Sequence, residues 1–350
     1  MYASRPLVSI IIPTRNRPAF LQEAIYSVRR QTYDHWEAIV VDDSASGLSP
    51  VPLAPCAGDS RIRLLNRAGE RHGAPACRNQ GVATSRGDYL IFLDDDDCLA
   101  PSCLETRVLA IGSRPDLDFM VFPCAVFREV PGDRRVLHNV KTNQGDLDRF
   151  LLLDTPWQTA GPIWRRDALE EIGAWNEALP SFQDWDFHVR ALVGGLRYEW
   201  GGVHPDCFWR QPVSRDATVG TRSQSHEHLR SHLKLFSHTA VVMRDAALLD
   251  DHRNNLLAGL FFWLAETWLR SGDRVMALSV WRRCEELTGL QEDMYRKGRL
   301  LLESPSHMLL RRALRKLLLR PYPSMFQAGD YSRTSRRCRY DVPERSGNAG

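Results

Sequence analysis

The sequence predicts an α/β fold in which helices cover both faces of a mainly parallel sheet and a helical appendage follows. The first indication is that short, continuous apolar runs alternate with segments of helical periodicity, a pattern typical of parallel sheets buried on both faces. The second is that strand signals fade after about Glu227, whereas helical signals continue. A chain of 350 residues, 43% of them hydrophobic, can form one large core and an appended unit.

The individual elements follow from local sequence in chain order. Strand-like runs lie at residues 7–12, 36–41, 62–65 and 89–93, with an apolar segment at 119–127 and a short strand ending at Ile163-Trp164. Helical periodicity is found at residues 20–28, 76–85, 166–172 and 185–192, and after Pro101. Residues 254–270 and 274–288 predict a helical hairpin. We therefore expect an α/β domain over residues 1–222, a helical region over 223–325 and a polar tail over 326–350 that is disordered.

Composition and charge exclude several classes of protein. A net charge of +3 is too small for a dedicated nucleic-acid binder, so we expect no nucleic-acid partner. No stretch reaches about 18 uninterrupted apolar residues, and the N-terminus lacks the pattern of a secretion signal, so we expect neither a membrane span nor export. Eight cysteines without a C-x-x-C pair are typical of reduced thiols in a cytoplasmic protein.

One segment leaves two alternatives for the location of the protein. The segment that begins at Leu309 and ends at Leu319 predicts a basic amphipathic helix, with leucines such as Leu310 on one face and arginines such as Arg311 on the other. Such a helix can lie on anionic lipid or pack on the domain with its charges in water. We therefore expect a cytoplasmic protein, either free or in peripheral contact with the inner face of the membrane.

The strongest chemical signal is a run of four aspartates, Asp94-Asp95-Asp96-Asp97, directly after the strand at residues 89–93. In open parallel sheets, ligands bind beyond the carboxyl ends of the strands. Adjacent carboxylates repel one another unless a cation lies among them, and Mg²⁺ and Mn²⁺ commonly link carboxylates to substrate phosphates. The run therefore predicts a Mn²⁺ or Mg²⁺ site that works with a diphosphate, and a solvated acidic loop is the alternative.

Four motifs, taken in order and at these separations, resemble the family 2 glycosyltransferases with the GT-A fold. They are Val8-Ser9-Ile10-Ile11-Ile12-Pro13-Thr14-Arg15-Asn16-Arg17, Val40-Val41-Asp42-Asp43-Ser44, Arg78-Asn79-Gln80-Gly81 and Phe92-Leu93-Asp94-Asp95-Asp96-Asp97. The resemblance covers about residues 6–215. It implies a Rossmann-like sheet, a nucleotide-diphosphate sugar as donor and a glycan, lipid-linked or small-molecule hydroxyl as acceptor.

The resemblance also assigns the donor site. It implies that Pro13, Thr14, Arg15 and Asp43 border the base of a uridine-type nucleotide, with Asp43 accepting a hydrogen bond from the base. It places Arg78 beside the diphosphate, where a fixed positive charge offsets the charge of the leaving group. The alternatives are a turn-forming role for Asp43 and a surface helix charge for Arg78.

Within the acidic run, the resemblance implies a division of roles. Asp94-x-Asp96 matches the family's DXD motif, in which Asp96 would be the direct metal ligand and Asp94 would assist. Asp95 would face the ribose. Apart from the resemblance, we expect Asp97 to cap the next helix, because Asp is favoured at helix N-caps.

The acceptor hydroxyl needs a base, and a positioned carboxylate can supply one. Asp184, in Phe182-Gln183-Asp184-Trp185-Asp186, is similar in position to the family's catalytic base, with Asp186 as the fallback. The alternative is that Ser181-x-x-Asp184 forms a capping box at a helix start.

Several histidines could extend the metal site. His204 is a candidate further ligand, whereas the cluster of His226, His228 and His232 is interpreted as a solvated helix face.

The sequence thus predicts a metal-dependent, inverting glycosyltransferase that moves one sugar at a time, in polysaccharide, glycolipid or cell-surface glycan synthesis. Two alternatives are a sugar-phosphate nucleotidyltransferase and a non-catalytic nucleotide-sugar-binding scaffold. The first would need a Gly-rich loop after the first strand, and residues 13–18 contain no glycine.

Overall fold

The computed structural model describes residues 5–44, 58–138, 140–211, 225–304, 317–318, 320–321 and 339–340. The strands are β1 Val8–Thr14, β2 Trp36–Asp42, β3 Ile62–Asn66, β4 Tyr89–Phe92, β5 Cys98–Leu99, β6 Phe119–Val121, β7 Cys124–Phe127, β8 Val136–Leu137, β9 Pro162–Arg165, β10 Tyr198–Trp200 and β11 Cys207–Arg210. The helices are α1 Pro18–Arg29, α2 Ala74–Thr84, α3 Cys103–Gly112, α4 Asp146–Leu151, α5 Arg166–Ile172, α6 Gln183–Val193, α7 His226–Asp245, α8 Asp251–Arg270, α9 Arg274–Thr288 and α10 Glu292–Glu303. Most of the predicted amphipathic helix at 309–319 and of the tail lies outside the described residues.

The main sheet has seven strands in the order β10-β6-β9-β4-β1-β2-β3, and every strand except β9 runs in the same direction. All seven residues of β1 and of β2 are buried, as expected for central strands with both faces covered. The predicted α/β class with a mainly parallel sheet is confirmed. The topology places the carboxyl ends of β1, β2 and β4 together at one edge.

A second sheet, of four strands in the order β5-β11-β7-β8, packs beside the first. The apolar segment at 119–127 is therefore two strands, because β6 belongs to the main sheet and β7 to the second one. The chain changes sheets at Phe122 and Pro123, and proline has no N–H to continue a ladder. The second sheet closes over the acidic run through β5 and β11.

Helix α2 lies very close to β1 because a glycine faces the strand. A Cβ added at Gly81 would lie 2.3 Å from Cγ2 of Ile11, far inside van der Waals contact. This close approach brings Arg78, one turn earlier on α2, to the carboxyl edge of the sheet.

Helices α7–α10 form the predicted helical appendage. The hairpin of α8 and α9 turns at Gly272, whose φ is +91°, and Asp273 caps α9 by accepting a hydrogen bond from the N–H of Met276 (2.9 Å). Across the described residues, none of the helices combines the length and the apolar character that crossing a bilayer requires. The six described cysteines are buried, unpaired thiols.

Candidate active site

The ends of β1 and β2 bring together the residues predicted to border the nucleotide base. Pro13 and Thr14 are buried at the end of β1, and Thr14 is paired with Asp42 of β2. Arg15 follows β1, is exposed, and places its guanidinium 3.7 Å from the carboxylate of Asp43. The exposed guanidinium of Arg15 thus lies beside the buried carboxylate of Asp43.

Asp43 is held by three donors from the loop that follows β3. Its carboxylate accepts hydrogen bonds from Arg67, from Nδ1 of His72 (3.0 Å) and from the N–H of Gly73 (2.9 Å). Burial acts to raise the pKa of Asp43, but these hydrogen bonds outweigh it and leave the pKa below its usual value. The neighbouring Asp42 accepts a turn hydrogen bond from the N–H of Ser44 (3.0 Å), whereas the described hydrogen bonds to Asp43 come from the loop after β3.

The acidic run is a turn closed by a hydrogen bond from the N–H of Asp97 to the carbonyl of Asp94 (3.0 Å). The turn separates its side chains into two pairs. Those of Asp94 and Asp96 are 36% and 30% exposed, whereas Asp95 and Asp97 are buried. The two carboxylates predicted to bind a metal are therefore the more exposed pair.

Asp95 is directed into the protein. Its carboxylate accepts a hydrogen bond from the hydroxyl of Thr14 (2.7 Å) and lies 3.4 Å from Arg17, which also donates to Asp96 (2.9 Å). Burial raises the pKa of Asp95 to about 6, against the opposing effect of the Thr14 hydrogen bond. Asp95, which was expected to face a ribose, is thus hydrogen-bonded to Thr14 of β1.

Asp97 connects the acidic turn to the second sheet. Its carboxylate accepts the backbone N–H of Arg210 on β11 (2.9 Å), and Arg210 also donates to the carbonyl of Asp96 (2.9 Å). Burial, followed by the charges of Asp96 and Asp94, raises the pKa of Asp97 well above its usual value. The expectation that Asp97 caps the next helix is wrong, because α3 starts after Ser102 and the Asp97 carboxylate is engaged by β11.

Arg78 lies at the centre of the site. Its side chain is 5% exposed, its Nη2 donates to Asp94 (2.6 Å), and its guanidinium stacks over the ring of Trp175 at 4.4 Å. A longer contact of 3.5 Å reaches the side-chain oxygen of Gln183 at the start of α6. The alternative of a surface helix charge is wrong, because Arg78 is buried between the acidic turn and α6.

Asp184 is half-buried in the first turn of α6, where the positive end of the helix dipole favours a carboxylate. Burial raises its pKa, while the charge of Arg78 lowers it and that of Asp94 raises it. The capping-box alternative is wrong, because Ser181 gives no hydrogen bond to the helix and instead contacts His232 (2.8 Å) and His228 (3.1 Å).

The remaining candidates lie in different surroundings. Asp186 is buried in an ion pair with Arg190 (3.0 Å), and His204 is exposed between β10 and β11. The interpretation of the histidine cluster as a solvated face is wrong for His228 and His232, which are 9% and 0% exposed because they pack against the loop before α6.

The structure adds three residues that sequence reasoning missed, Arg67, His72 and Arg210, and it gives Arg17 of the first motif a contact with the acidic turn. Arg67 directly follows β3. The rule that ligands bind beyond the carboxyl ends of parallel strands would have identified it, had it been applied to β3 as it was to β1, β2 and β4. His72 and Arg210 gave no local signal. Arg210 lies 113 residues from the aspartate that it contacts.

The fold, together with the site at the ends of its strands, defines the class of GT-A-type α/β proteins. The structure resembles that of Staphylococcus aureus TarS residues 1–349 in complex with UDP-GlcNAc, with a TM-score of 0.61, 18% identity and coverage of 94% of this chain and 93% of that one. The sequence pattern of glycosyl transferase family 2 matches residues 9–173.

The chain belongs to glycosyl transferase family 2. It is 31% identical to the uncharacterized glycosyltransferase YwdF of Bacillus subtilis over 187 residues, which are 53% of this chain and 67% of that protein. It is 30% identical over 186 residues to an uncharacterized glycosyltransferase of Haemophilus influenzae, of whose length the chain spans 62%. The predicted family is confirmed.

Proposed function

We propose that the protein is a metal-dependent, inverting glycosyltransferase that moves one sugar from a nucleoside-diphosphate sugar to an acceptor hydroxyl. The observation that carries the proposal is the position of Arg78, which contacts Asp94 in the acidic turn and Gln183 beside Asp184. One buried cation thus connects a region suited to a diphosphate with a carboxylate suited to proton transfer. Uridine is the first base to test, because the similarly folded TarS has been crystallised with UDP-GlcNAc.

The side chains at the acidic turn fit a Mn²⁺ or Mg²⁺ ion. Asp94 and Asp96 offer partly exposed carboxylate oxygens, and burial, followed by the charge of Asp94, raises the pKa of Asp96 against the opposing charge of Arg17. Within the described part of the chain, no group of three or more His, Cys, Asp or Glu side chains is arranged to hold a metal. Such a cage is not needed, since these ions bind one or two carboxylates together with substrate phosphates. When bound, the ion would offset the charge of the departing diphosphate.

Asp184 is proposed to act as the base. It takes the proton of the acceptor hydroxyl while the hydroxyl oxygen attacks the anomeric carbon and the bond to the diphosphate oxygen breaks on the opposite face. A pKa raised by burial lies closer to neutral pH, where a general base is more effective. Arg78 holds a fixed positive charge on the diphosphate side and needs no reorganisation as that charge develops.

The test is to incubate the purified protein with a panel of nucleotide sugars and Mn²⁺, with and without sugar acceptors, and to measure nucleoside diphosphate and sugar product. Transfer or slow donor hydrolysis supports the proposal. Pyrophosphate formed from a nucleoside triphosphate and a sugar 1-phosphate would support a nucleotidyltransferase. Donor binding without turnover of any donor would support a binding scaffold.

A further inference from the structure

The loop that leads into α6 is held by the helical region. Ser181 is 4% exposed, and its hydroxyl lies 2.8 Å from Nε2 of His232 and 3.1 Å from Nδ1 of His228. The two histidines are four residues apart and therefore project from the same face of α7. One hydroxyl group of the α/β domain is thus clamped between two rings of the helical region.

The next residue, Phe182, has a backbone conformation that needs support. Its φ is +60°, in the left-handed region that is costly for a bulky side chain. Its ring packs against His232 (4.4 Å between centroids), Phe236 (5.8 Å) and Trp263 (6.1 Å), all from α7 and α8. The helical region therefore stabilises the unusual backbone two residues before Asp184.

The hydrogen bonds fit one hydroxyl between two imidazole rings. A serine hydroxyl has a single proton, so it can donate to one imidazole and accept from the other. Burial, together with the charge of His228, lowers the pKa of His232 to about 4 and keeps that ring neutral near pH 7. Removal of the hydroxyl would leave both buried ring nitrogens without this partner, a costly change.

We propose that Ser181, His228 and His232 are positioning residues through which the helical region sets the orientation of Asp184. This inference rests on the proposed function, in which Asp184 is the base. A base must lie within hydrogen-bond reach of the proton that it removes, and a misplacement of about 1 Å can lower the rate about 100-fold. In the proposed function the donor is held by the strand ends and Arg78, whereas this loop leads to the base.

Ser181→Ala tests the proposal through separate kcat and KM values. We expect kcat to fall about 10- to 100-fold while the donor KM stays within about twofold. His226→Ala is the matched control, because His226 is exposed on the same helix and its ring lies against Trp268 (4.8 Å), away from Ser181. Its kcat should equal that of the wild type.

Amide substitutions separate positioning from general loss of structure. The terminal amide of Gln can replace Nε2 of a histidine and that of Asn can replace Nδ1, because each lies at a similar distance from Cα and offers a nitrogen to donate or an oxygen to accept. His232→Gln should therefore retain more kcat than His232→Asn, whereas His228→Asn should retain more than His228→Gln. The Gln and Asn variants at the two histidines test the positioning role even if Ser181→Ala does not fold.

The positioning role would be overturned if Ser181→Ala had the kcat of the wild type. It would also be overturned if the same amide, Gln or Asn, retained more kcat at both histidines. A fall in melting temperature with unchanged kcat would indicate a structural role alone and overturn it as well. Failure of the proposed function looks different, because the wild-type protein would then turn over no nucleotide sugar in the same assay.

Discussion

At the residue scale, the acidic turn combines two environments. Asp94 and Asp96 form a partly open pair of carboxylates beside Arg78 and Arg17, whereas Asp95 accepts a hydrogen bond from Thr14 of the first strand. The open pair suits cation and phosphate binding, and the inward carboxylate fixes the turn. Neighbouring residues of identical type thus differ in burial and in hydrogen-bond partners.

Asp184→Asn is the substitution that tests the proposed base. The amide keeps the size of the side chain but cannot accept the acceptor's proton, so turnover should fall about 10²- to 10⁴-fold. Donor affinity, measured by calorimetry with a non-hydrolysed nucleotide, should be nearly unchanged. Asp167→Asn, an exposed acidic residue in the first turn of α5, is the control. Near-normal turnover of Asp184→Asn would move the base to another residue.

At the element scale, the close packing of α2 on β1 can be tested with Gly81→Ala. The added Cβ would lie 2.3 Å from Ile11 Cγ2, so the helix must shift, and we expect the free energy of unfolding to fall by about 1–3 kcal/mol. Gly145→Ala is a suitable control, since its nearest neighbour would lie at 3.7 Å. Urea denaturation of both variants measures the difference. Equal stability of the two variants would show that α2 does not depend on this glycine.

The burial of His232 between α7 and the loop before α6 predicts how the stability of the protein depends on pH. His232 has a folded-state pKa of about 4, below the ordinary value of 6.5, so between these values the unfolded chain binds more protons. The stability that the neutral ring confers is complete above about pH 6.5 and is lost as the pH falls toward 4. The wild type should therefore lose up to about 3 kcal/mol relative to His232→Gln between pH 7 and pH 4. Denaturation curves at the two pH values measure this, and a constant difference would contradict the assigned burial.

The same elements show where sequence is informative. Continuous apolar runs predicted β1, β2 and β4 because central parallel strands need such runs, and helical periodicity predicted the α8–α9 hairpin. The division of residues 119–127 between two sheets was not predictable, since both halves are equally apolar. The burial of His228 and His232 was also missed, because their partner Ser181 is about 50 residues away.

At the scale of the whole molecule, three units meet around the start of α6 and the acidic turn. The main sheet provides the strand ends, the second sheet holds the turn through Arg210, and the helical region holds the loop before Asp184. The strand-end residues could be proposed from motifs alone. Arg210 and the histidine pair could not, because they act through contacts between units that lie far apart in sequence.

The most direct test of the proposed function measures the nucleoside diphosphate released from nucleotide sugars. The wild type and Asp96→Asn are compared across a Mn²⁺ titration, and EDTA-treated protein is the control. We expect the wild type to turn over at least one donor, EDTA to abolish this activity and Mn²⁺ to restore it. We expect Asp96→Asn to need at least about tenfold more Mn²⁺. Wild-type turnover unaffected by exhaustive EDTA treatment, or an unchanged Mn²⁺ requirement in Asp96→Asn, would contradict the metal site. Absence of turnover with every donor would contradict the proposed activity itself.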